Sequence, residues 1–204
     1  MIPTLAKMIG LALVCGVLLS TTYHLTEEKI DTNQQAFETA QLRAVVGDTS
    51  VVLQGNGNNY QLLKDGSPFG ELKTVTTNQG YNGAIRFWLA TKHTGEVLGV
   101  RIIRHQETPG LGDKLELAVS DWILGFDNTS LTTNIWDVKK YGGDFDQFSG
   151  ATITPRAVVL SIKTELEQQT AQRERKTAQS KRKTAQSERK STQSGKQTDK
   201  GAAL

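Results

Sequence analysis

Two threonines close the run Ser149-Gly150-Ala151-Thr152-Ile153-Thr154, which Pro155 follows and Asp146 precedes by three residues. Proline suits the first turn of a helix, and Val159, Ile162 and Leu166 continue from it at helical spacing. Thr154 then falls at the N-cap, where its hydroxyl lies beside backbone N–H groups that have no intrahelical acceptor. Those donors and the helix dipole favour a phosphate at that spot. A phosphate esterified to the hydroxyl would sit where negative charge is already stabilised. Gly150 and Ala151 keep the approach to the backbone clear for a bulky group. Arg156 brings a positive charge whose direction the sequence does not fix. A plain helix cap uses the same residue types, and spacing alone favours the cap.

A second string able to do chemistry is His105-Gln-Glu-Thr-Pro-Gly-Leu-Gly-Asp113. Pro109-Gly110 fits the central positions of a type II turn, which needs positive φ at the glycine. Asp113 is placed to N-cap a helix that puts Leu115, Val119 and Trp122 on one face. Ser149, His105 and Asp146 make a poor hydrolytic triad, because Ser149-Gly150 lacks the Gly-x-Ser-x-Gly elbow. Metal and thiol chemistry find little support. The one cysteine, Cys15, lies in an apolar run, and His24, His93 and His105 are dispersed. Redox chemistry in this chain therefore needs a borrowed cofactor.

Ser149 to Thr154, with Asp146, resembles the flavinylation signature of the FMN-binding domain family, Asp-x-x-Ser/Thr-Gly-Ala-Thr-x-Thr. In that family a dedicated transferase joins the FMN phosphate to the last threonine. Gly80-Tyr-Asn-Gly-Ala-Ile85, His105 to Lys114 and Gly143-Asp-Phe-Asp-Gln-Phe148 extend the likeness. They resemble the G subunit of Rnf (Rsx) ion-translocating electron-transport complexes and, more distantly, the C subunit of the sodium-translocating NADH:quinone reductase. The resemblance is dense from about Gly80 to Val159 and thin between Gly47 and Lys73. It implies covalent FMN on Thr154, with Thr152 the near miss, and Ser149, Gly150 and Ala151 in the site. Glu107, Thr108, Pro109, Gly110, Leu111 and Gly112 resemble the loop that lies against the flavin, with Leu111 able to pack on the ring. His105 is a flavin neighbour on this reading and an exposed loop residue on the bland one. Asp146 is implied to help the transferase orient a metal-bound phosphate. Asp144 reads as a turn residue, and Trp88 and Trp122 as core or sheet-face residues rather than electron relays.

The elements that must position these residues read as an α+β domain, an antiparallel sheet packed by a few helices. Val51-Val52-Leu53, Tyr60 to Leu63 and Glu71 to Thr76 are strand candidates separated by Gly and Asn clusters. Ile85, Phe87 and Leu89 alternate with Arg86, Trp88 and Ala90. Thr94-Gly95 turns that strand into a second one carrying Leu98, Val100 and Ile102. Ahead of the domain, an uncharged stretch runs from Met8 to Leu25, Lys7 precedes it, and Glu27 and Glu28 follow. As helix those eighteen residues span roughly 27 Å, enough for a hydrocarbon core. A cleaved signal peptide is the alternative, but Leu18 to Tyr23 offers no small-x-small site. The reading is a retained anchor over 1–25, with a cytoplasmic N-terminus and the main domain on the periplasmic side of a bacterial inner membrane. The extracytoplasmic domain reads as 26–170, opening on residues 26–46, where Ile30, Phe37 and Ala44 at intervals of seven read as a juxtamembrane amphipathic helix.

The net charge of +3 hides an asymmetry: residues 171–204 hold ten Lys and Arg against three Asp and Glu, or +7, leaving −4 for the rest. The basic pI thus reports a tail and gives no sign of a nucleic-acid-binding face. From Arg175 to Gly195 the tail repeats every seven residues, as in Arg175-Lys-Thr-Ala-Gln-Ser-Lys181, with no large apolar residue at any position. With nothing apolar to bury, ordering entropy wins, and the tail is expected to be disordered. The functional expectation is an FMN-bearing electron carrier in a membrane complex that couples electron flow to ion movement, partnered by neighbouring subunits and a flavin transferase. The competing reading is an anchored envelope binding module without a redox cofactor.

Overall fold

In the computed structural model of the chain, residues 8, 10–17, 20–21 and 42–198 are described. The chain divides into two units, Met1–Thr49 and Ser50–Leu204. In the first, residues 10–17 and 42–46 are helical. Most of the expected membrane anchor, and Ile30 and Phe37 of the juxtamembrane helix, lie outside the described residues. Among the described residues no helix is long and apolar enough to cross a membrane.

The second unit is built on a five-stranded antiparallel meander in the order β1-β2-β3-β4-β5. The strands are Val51–Asn56, Asn59–Lys64, Ser67–Thr77, Ile85–Lys92 and Val97–Arg104. β2 turns into β3 through Asp65-Gly66, both at positive φ (51° and 75°). That is the geometry a two-residue hairpin of type I′ requires, and Asp-Gly is among the dipeptides that adopt it readily.

Between β4 and β5 the alternation expected of Leu98, Val100 and Ile102 does not hold. Ala90 pairs with Gly99 and Thr91 with Val97, so Leu98 is an extra, bulged residue. The bulge flips the strand's phase, which buries Val97 and Val100 fully while Leu98 and Ile102 are half-buried.

One long helix, α1 (Ile153–Thr198, 46 residues), returns across the sheet. Ala157, Val158, Val159, Ile162 and Leu166 form its buried stripe against Ile85, Phe87, Leu89, Val97 and Val100. Polar ties extend the contact: Lys73 Nζ to Glu165 at 2.7 Å, Thr91 Oγ1 to Gln169 at 3.1 Å, and Arg173 Nη1 to the His93 carbonyl at 2.7 Å.

Residues 171–198, expected to be disordered, continue as helix, with described side chains that are exposed apart from half-buried Arg173. The packed first turns supply the nucleus, after which each added residue gains a hydrogen bond. The Ala, Lys, Arg, Gln and Glu of the repeat are good helix formers.

The segment from 105 to 152 is mostly irregular and carries an aromatic cluster. Phe126 stacks on Phe145 with centroids 4.7 Å apart, and Trp122 meets Phe148 edge-on at 5.0 Å. The α-helix expected after Asp113 is replaced by two short 3₁₀ helices, Asp113–Leu115 and Asp121–Phe126. Asp113 does not cap forward; its Oδ2 accepts from the Gly110 N–H at 2.9 Å. The second helix starts instead at Ser120, whose hydroxyl accepts from Trp122 N at 3.3 Å. Leu115 is buried, Trp122 half-buried and Val119 exposed, so the three share no face.

Candidate functional site

β4 and β5 are antiparallel neighbours, and Arg86 near the start of one pairs with Arg104 at the end of the other. The loop entering β4 (residues 78–84) and the loop leaving β5 (residues 105–112) therefore emerge at the same end of the sheet. The N-terminus of α1 reaches that end through a turn in which Ala151 N donates to the Phe148 carbonyl at 3.1 Å and Gly150 takes φ +79°. These three segments line a cavity of about 190 Å³ that holds Tyr81, Glu107, Thr108, Leu111, Gly112 and Gly150 to Thr154.

At its base Thr154 Oγ1 donates a short hydrogen bond to Glu107 Oε2. Both residues are buried, at 1% and 5% exposure, so the pair is held away from bulk water. The other carboxylate oxygen of Glu107 accepts from the Asn82 N–H at 3.1 Å. Asn82 Nδ2 in turn reaches Thr108 Oγ1 at 2.9 Å, tying the two sheet-end loops together. A charged acceptor strengthens such bonds, and low local polarity strengthens them further.

The glycines of the loop have separate physical roles. Leu111 N donates to the Thr108 carbonyl at 3.1 Å with Gly110 at φ +78°, the type II turn read from Pro109-Gly110. Gly112 has φ −95° and needs no special backbone, but a Cβ there would lie 2.6 Å from Glu107 Cβ. The absence of that carbon lets the Glu107 side chain pass. Leu111 is 43% exposed at the rim, and a Cβ built on Gly150 would be 3.5 Å from its Cδ2.

The structure brings Thr154, Thr152, Gly150, Ala151, Glu107, Thr108 and Leu111 around the cavity, with Gly110 shaping its turn. It does not bring Ser149, Asp146 or His105 to the lining. Ser149 is exposed on the turn, and Asp146 points to Lys139 Nζ at 2.8 Å with its carboxylate largely in solvent. His105 is neither exposed nor at the cavity. Its Nδ1 accepts from Glu107 N at 3.0 Å, so the neutral ring carries its proton on Nε2, which meets Glu116 Oε1 at 2.8 Å. The imidazole braces the backbone of Glu107. Thr154, expected at the cap, is instead the second residue of α1, two positions inside Thr152, which takes the cap position with its carbonyl accepting from Arg156 N. Proline is tolerated one or two places further in because no N–H of the first turn has an intrahelical acceptor.

Arg156 turns away from Thr154. It makes a two-pronged contact with Asp137 at 2.8 and 2.9 Å and lies over the Tyr141 ring at 4.3 Å. Hydrogen bonding from Arg156 holds the Asp137 carboxyl below the ordinary carboxylate range. Sequence reasoning assigned no role to Tyr81, Asn82 and Ile153. The string Gly80 to Ile85 was visible, but only sheet pairing shows that it faces residues 105–112.

The fold is an α+β domain in which a helix N-terminus and two sheet-end loops enclose a threonine, and the family model for the FMN-binding domain matches the chain. That model matches residues 80–167, a span that includes every residue lining the cavity. The chain belongs to the family formed by the G subunit of ion-translocating oxidoreductase complexes. It is 43% identical over 170 residues to that subunit from Haemophilus influenzae (strain PittEE), covering 75% of this chain and 82% of the relative. With its counterpart from Vibrio cholerae serotype O1 (strain M66-2) it shares 39% over 175 residues, covering 76% and 84%. Among solved structures, the crystal structure of Shewanella oneidensis NqrC matches with a TM-score of 0.42 and 21% identity, over 55% of this chain and 60% of that one.

The residues present suit an FMN. The Thr154 hydroxyl is buried against the cavity, and Gly150 in its lining adds no side chain there. Exposed Tyr81, Leu111 and Ile153 offer apolar surface to a ring. The cavity is smaller than the ~300 Å³ lower end for sites that enclose a ligand, so a flavin would be only partly enclosed.

Proposed function

We propose that the chain is the FMN-carrying electron-transfer subunit of a membrane complex that couples electron transfer to ion translocation, with FMN linked through its phosphate to Thr154. The observation that carries this reading is the placement of Thr154. It lies in the first turn of α1, in the cavity of the FMN-binding domain, with its hydroxyl selected by a buried carboxylate. Thr152 shares the cavity, but its hydroxyl makes no hydrogen bond among the described residues, which supports Thr154 as the acceptor.

FMN supplies one- and two-electron chemistry, and the protein supplies attachment and orientation. The N-terminal end of α1 favours the phosphate's negative charge. Thr108, Leu111 and Gly112 form one wall and Gly150 to Ile153 the other. Covalent attachment keeps the flavin from dissociating outside the cytoplasm. Residues 1–25 form the single-pass anchor in the inner membrane, with the main domain on the periplasmic face, extending to 170. The partners are the other subunits of the complex and a flavin transferase that matures this one. Among the described residues, the side chains of the charged arm beyond Arg173 are exposed.

The test is in-gel ultraviolet fluorescence after denaturing electrophoresis of wild type, Thr154→Ala and Thr152→Ala, each co-expressed with a flavin transferase. Fluorescence that disappears in Thr154→Ala alone is the expected result. A dark wild-type band, with the transferase active on a control substrate, refutes the covalent reading and favours a module without a redox cofactor.

A further inference from the structure

Glu107 is unusual in its burial. A carboxylate is rarely placed at 5% exposure unless its oxygens are fully used. Here one oxygen takes the Asn82 N–H and the other takes the hydroxyl proton of Thr154. The chain makes room for this side chain at Gly112, where a Cβ would lie 2.6 Å from Glu107 Cβ; a Cβ on Gly80 would meet the Gly83 carbonyl oxygen at 2.4 Å before Glu107 Oε1 at 2.7 Å. His105 fixes the backbone N–H of the same residue at 3.0 Å. A helix-capping threonine needs none of this apparatus, because it accepts from backbone N–H groups. The Thr154 hydroxyl instead donates, to an anionic oxygen, in a cavity that opens at the protein surface.

We infer that Glu107 is the general base for flavin attachment: it orients Thr154 Oγ1 and takes its proton as the ester forms. The inference rests on the proposed ester at Thr154. Esterifying an alcohol in water requires an activated phosphoryl donor, so the co-reactant is a flavin dinucleotide, whose phosphoanhydride bond is the one that breaks. The Oγ1–P bond forms as the P–O bond to the departing nucleoside monophosphate breaks, and that group leaves with the electron pair. The proton of Oγ1 passes to Glu107 Oε2, and no group is oxidised or reduced. The hydrogen bond already aligns the donor and acceptor of that transfer, the geometry that general-base catalysis needs. The same contact explains selection between two threonines only two residues apart, since among the described residues no carboxylate is hydrogen-bonded to Thr152.

The experiment uses the full chain purified without flavin, a flavin transferase and a flavin dinucleotide. The rate of covalent labelling is read by gel fluorescence and by intact mass. Glu107→Gln keeps the side chain's shape: its carbonyl oxygen can hold the Asn82 N–H while its amide donates to Oγ1, which removes the base. The expected result is a fall in kcat for labelling of about 10²- to 10⁴-fold, with KM for the protein substrate unchanged. Melting and circular dichroism should match wild type. Glu107→Ala, which vacates the space, should regain part of the rate on addition of formate.

Labelling of Thr154 in Glu107→Gln within about threefold of wild type overturns the inference and leaves the ester reading standing. A loss confined to KM overturns it too, because it would assign Glu107 to docking of the transferase. No label on wild-type Thr154 removes both readings together. An independent check needs no variant: proton NMR of the unmodified chain should show a slowly exchanging Thr154 hydroxyl, and its absence also overturns the inference.

Discussion

Gly112→Ala is expected to destabilise the domain although nothing about the backbone at that position forbids alanine. Gly112 has φ −95° and ψ −14°, an ordinary conformation for any residue. On backbone grounds alone the substitution should stabilise by about 0.4–1 kcal/mol, because alanine narrows the unfolded ensemble. The opposing effect is steric. The new carbon would stand 2.6 Å from Glu107 Cβ and 3.2 Å from its Oε2. Both carbons are fixed one bond from the main chain, so neither can swing aside, and the two strands of the loop must separate by roughly 1 Å to reach ordinary contact distance. Overpacking of this kind costs about 1–3 kcal/mol, which outweighs the entropic gain. At mid-range values the net loss of about 1.3 kcal/mol corresponds to a fall in Tm of about 3–5 °C for a domain of this size. Gly110→Ala is the control. Its cost is the left-handed backbone at φ +78°, about 1–2 kcal/mol, and nothing lies within 4 Å of its new Cβ. Differential scanning calorimetry of the unmodified chain should therefore show both variants destabilised. NMR should show the Thr154 hydroxyl and Asn82 amide shifted in Gly112→Ala alone. An unchanged or raised Tm for Gly112→Ala would refute the claim that the missing side chain makes room for Glu107.

Phe126 is fully buried and stacks on both Phe145 and Trp136, so Phe126→Ala should cost about 3–5 kcal/mol in a urea melt; a loss below about 1 kcal/mol would mean the cluster collapses to fill the hole. Asp137 has its folded-state pKa depressed by Arg156, so its contribution is present above the unfolded value of about 3.9 and lost as pH falls through the lower folded one. Wild type should exceed Asp137→Asn by about 0.2–1 kcal/mol at neutral pH, as expected of a partly exposed pair, and the gap should close below about pH 4; a constant gap contradicts the pairing. A chain ending at Lys176 should keep its Tm within about 1 °C, since no tertiary side-chain contact beyond Arg173 is made among the described residues, while its far-ultraviolet helical signal falls. A larger drop in Tm would show that the exposed part of α1 is packed on something.

Much of the site was legible because its signals are short-range. Proline before glycine calls for a type II turn, and that turn is present at Thr108–Leu111. Threonine before proline marks a helix start, and α1 begins within a residue of it. Strand alternation located β4 and β5, but the bulge at Leu98 was hidden, since an extra residue is defined only by its partner strand. The helix expected after Asp113 failed for a similar reason. Its carboxylate had two nearby sets of N–H groups to accept from, and the packing of the Gly110 turn decided between them.

The sequence by itself determined the α+β class, the turn that shapes the loop, the threonine at the start of the helix and the likeness to FMN-binding domains. These depend on φ preferences and on periodicities of two and 3.6, which act over a few neighbouring residues. Tertiary structure alone decided that Glu107 meets Thr154 across 47 residues, that Arg156 pairs with Asp137, and that Asp146 and Ser149 do not line the cavity. Such pairings follow from which sheet edge two loops leave and from which rotamer the packing permits. No local rule carries that information, because the side chains become neighbours only once the sheet and α1 have closed on each other.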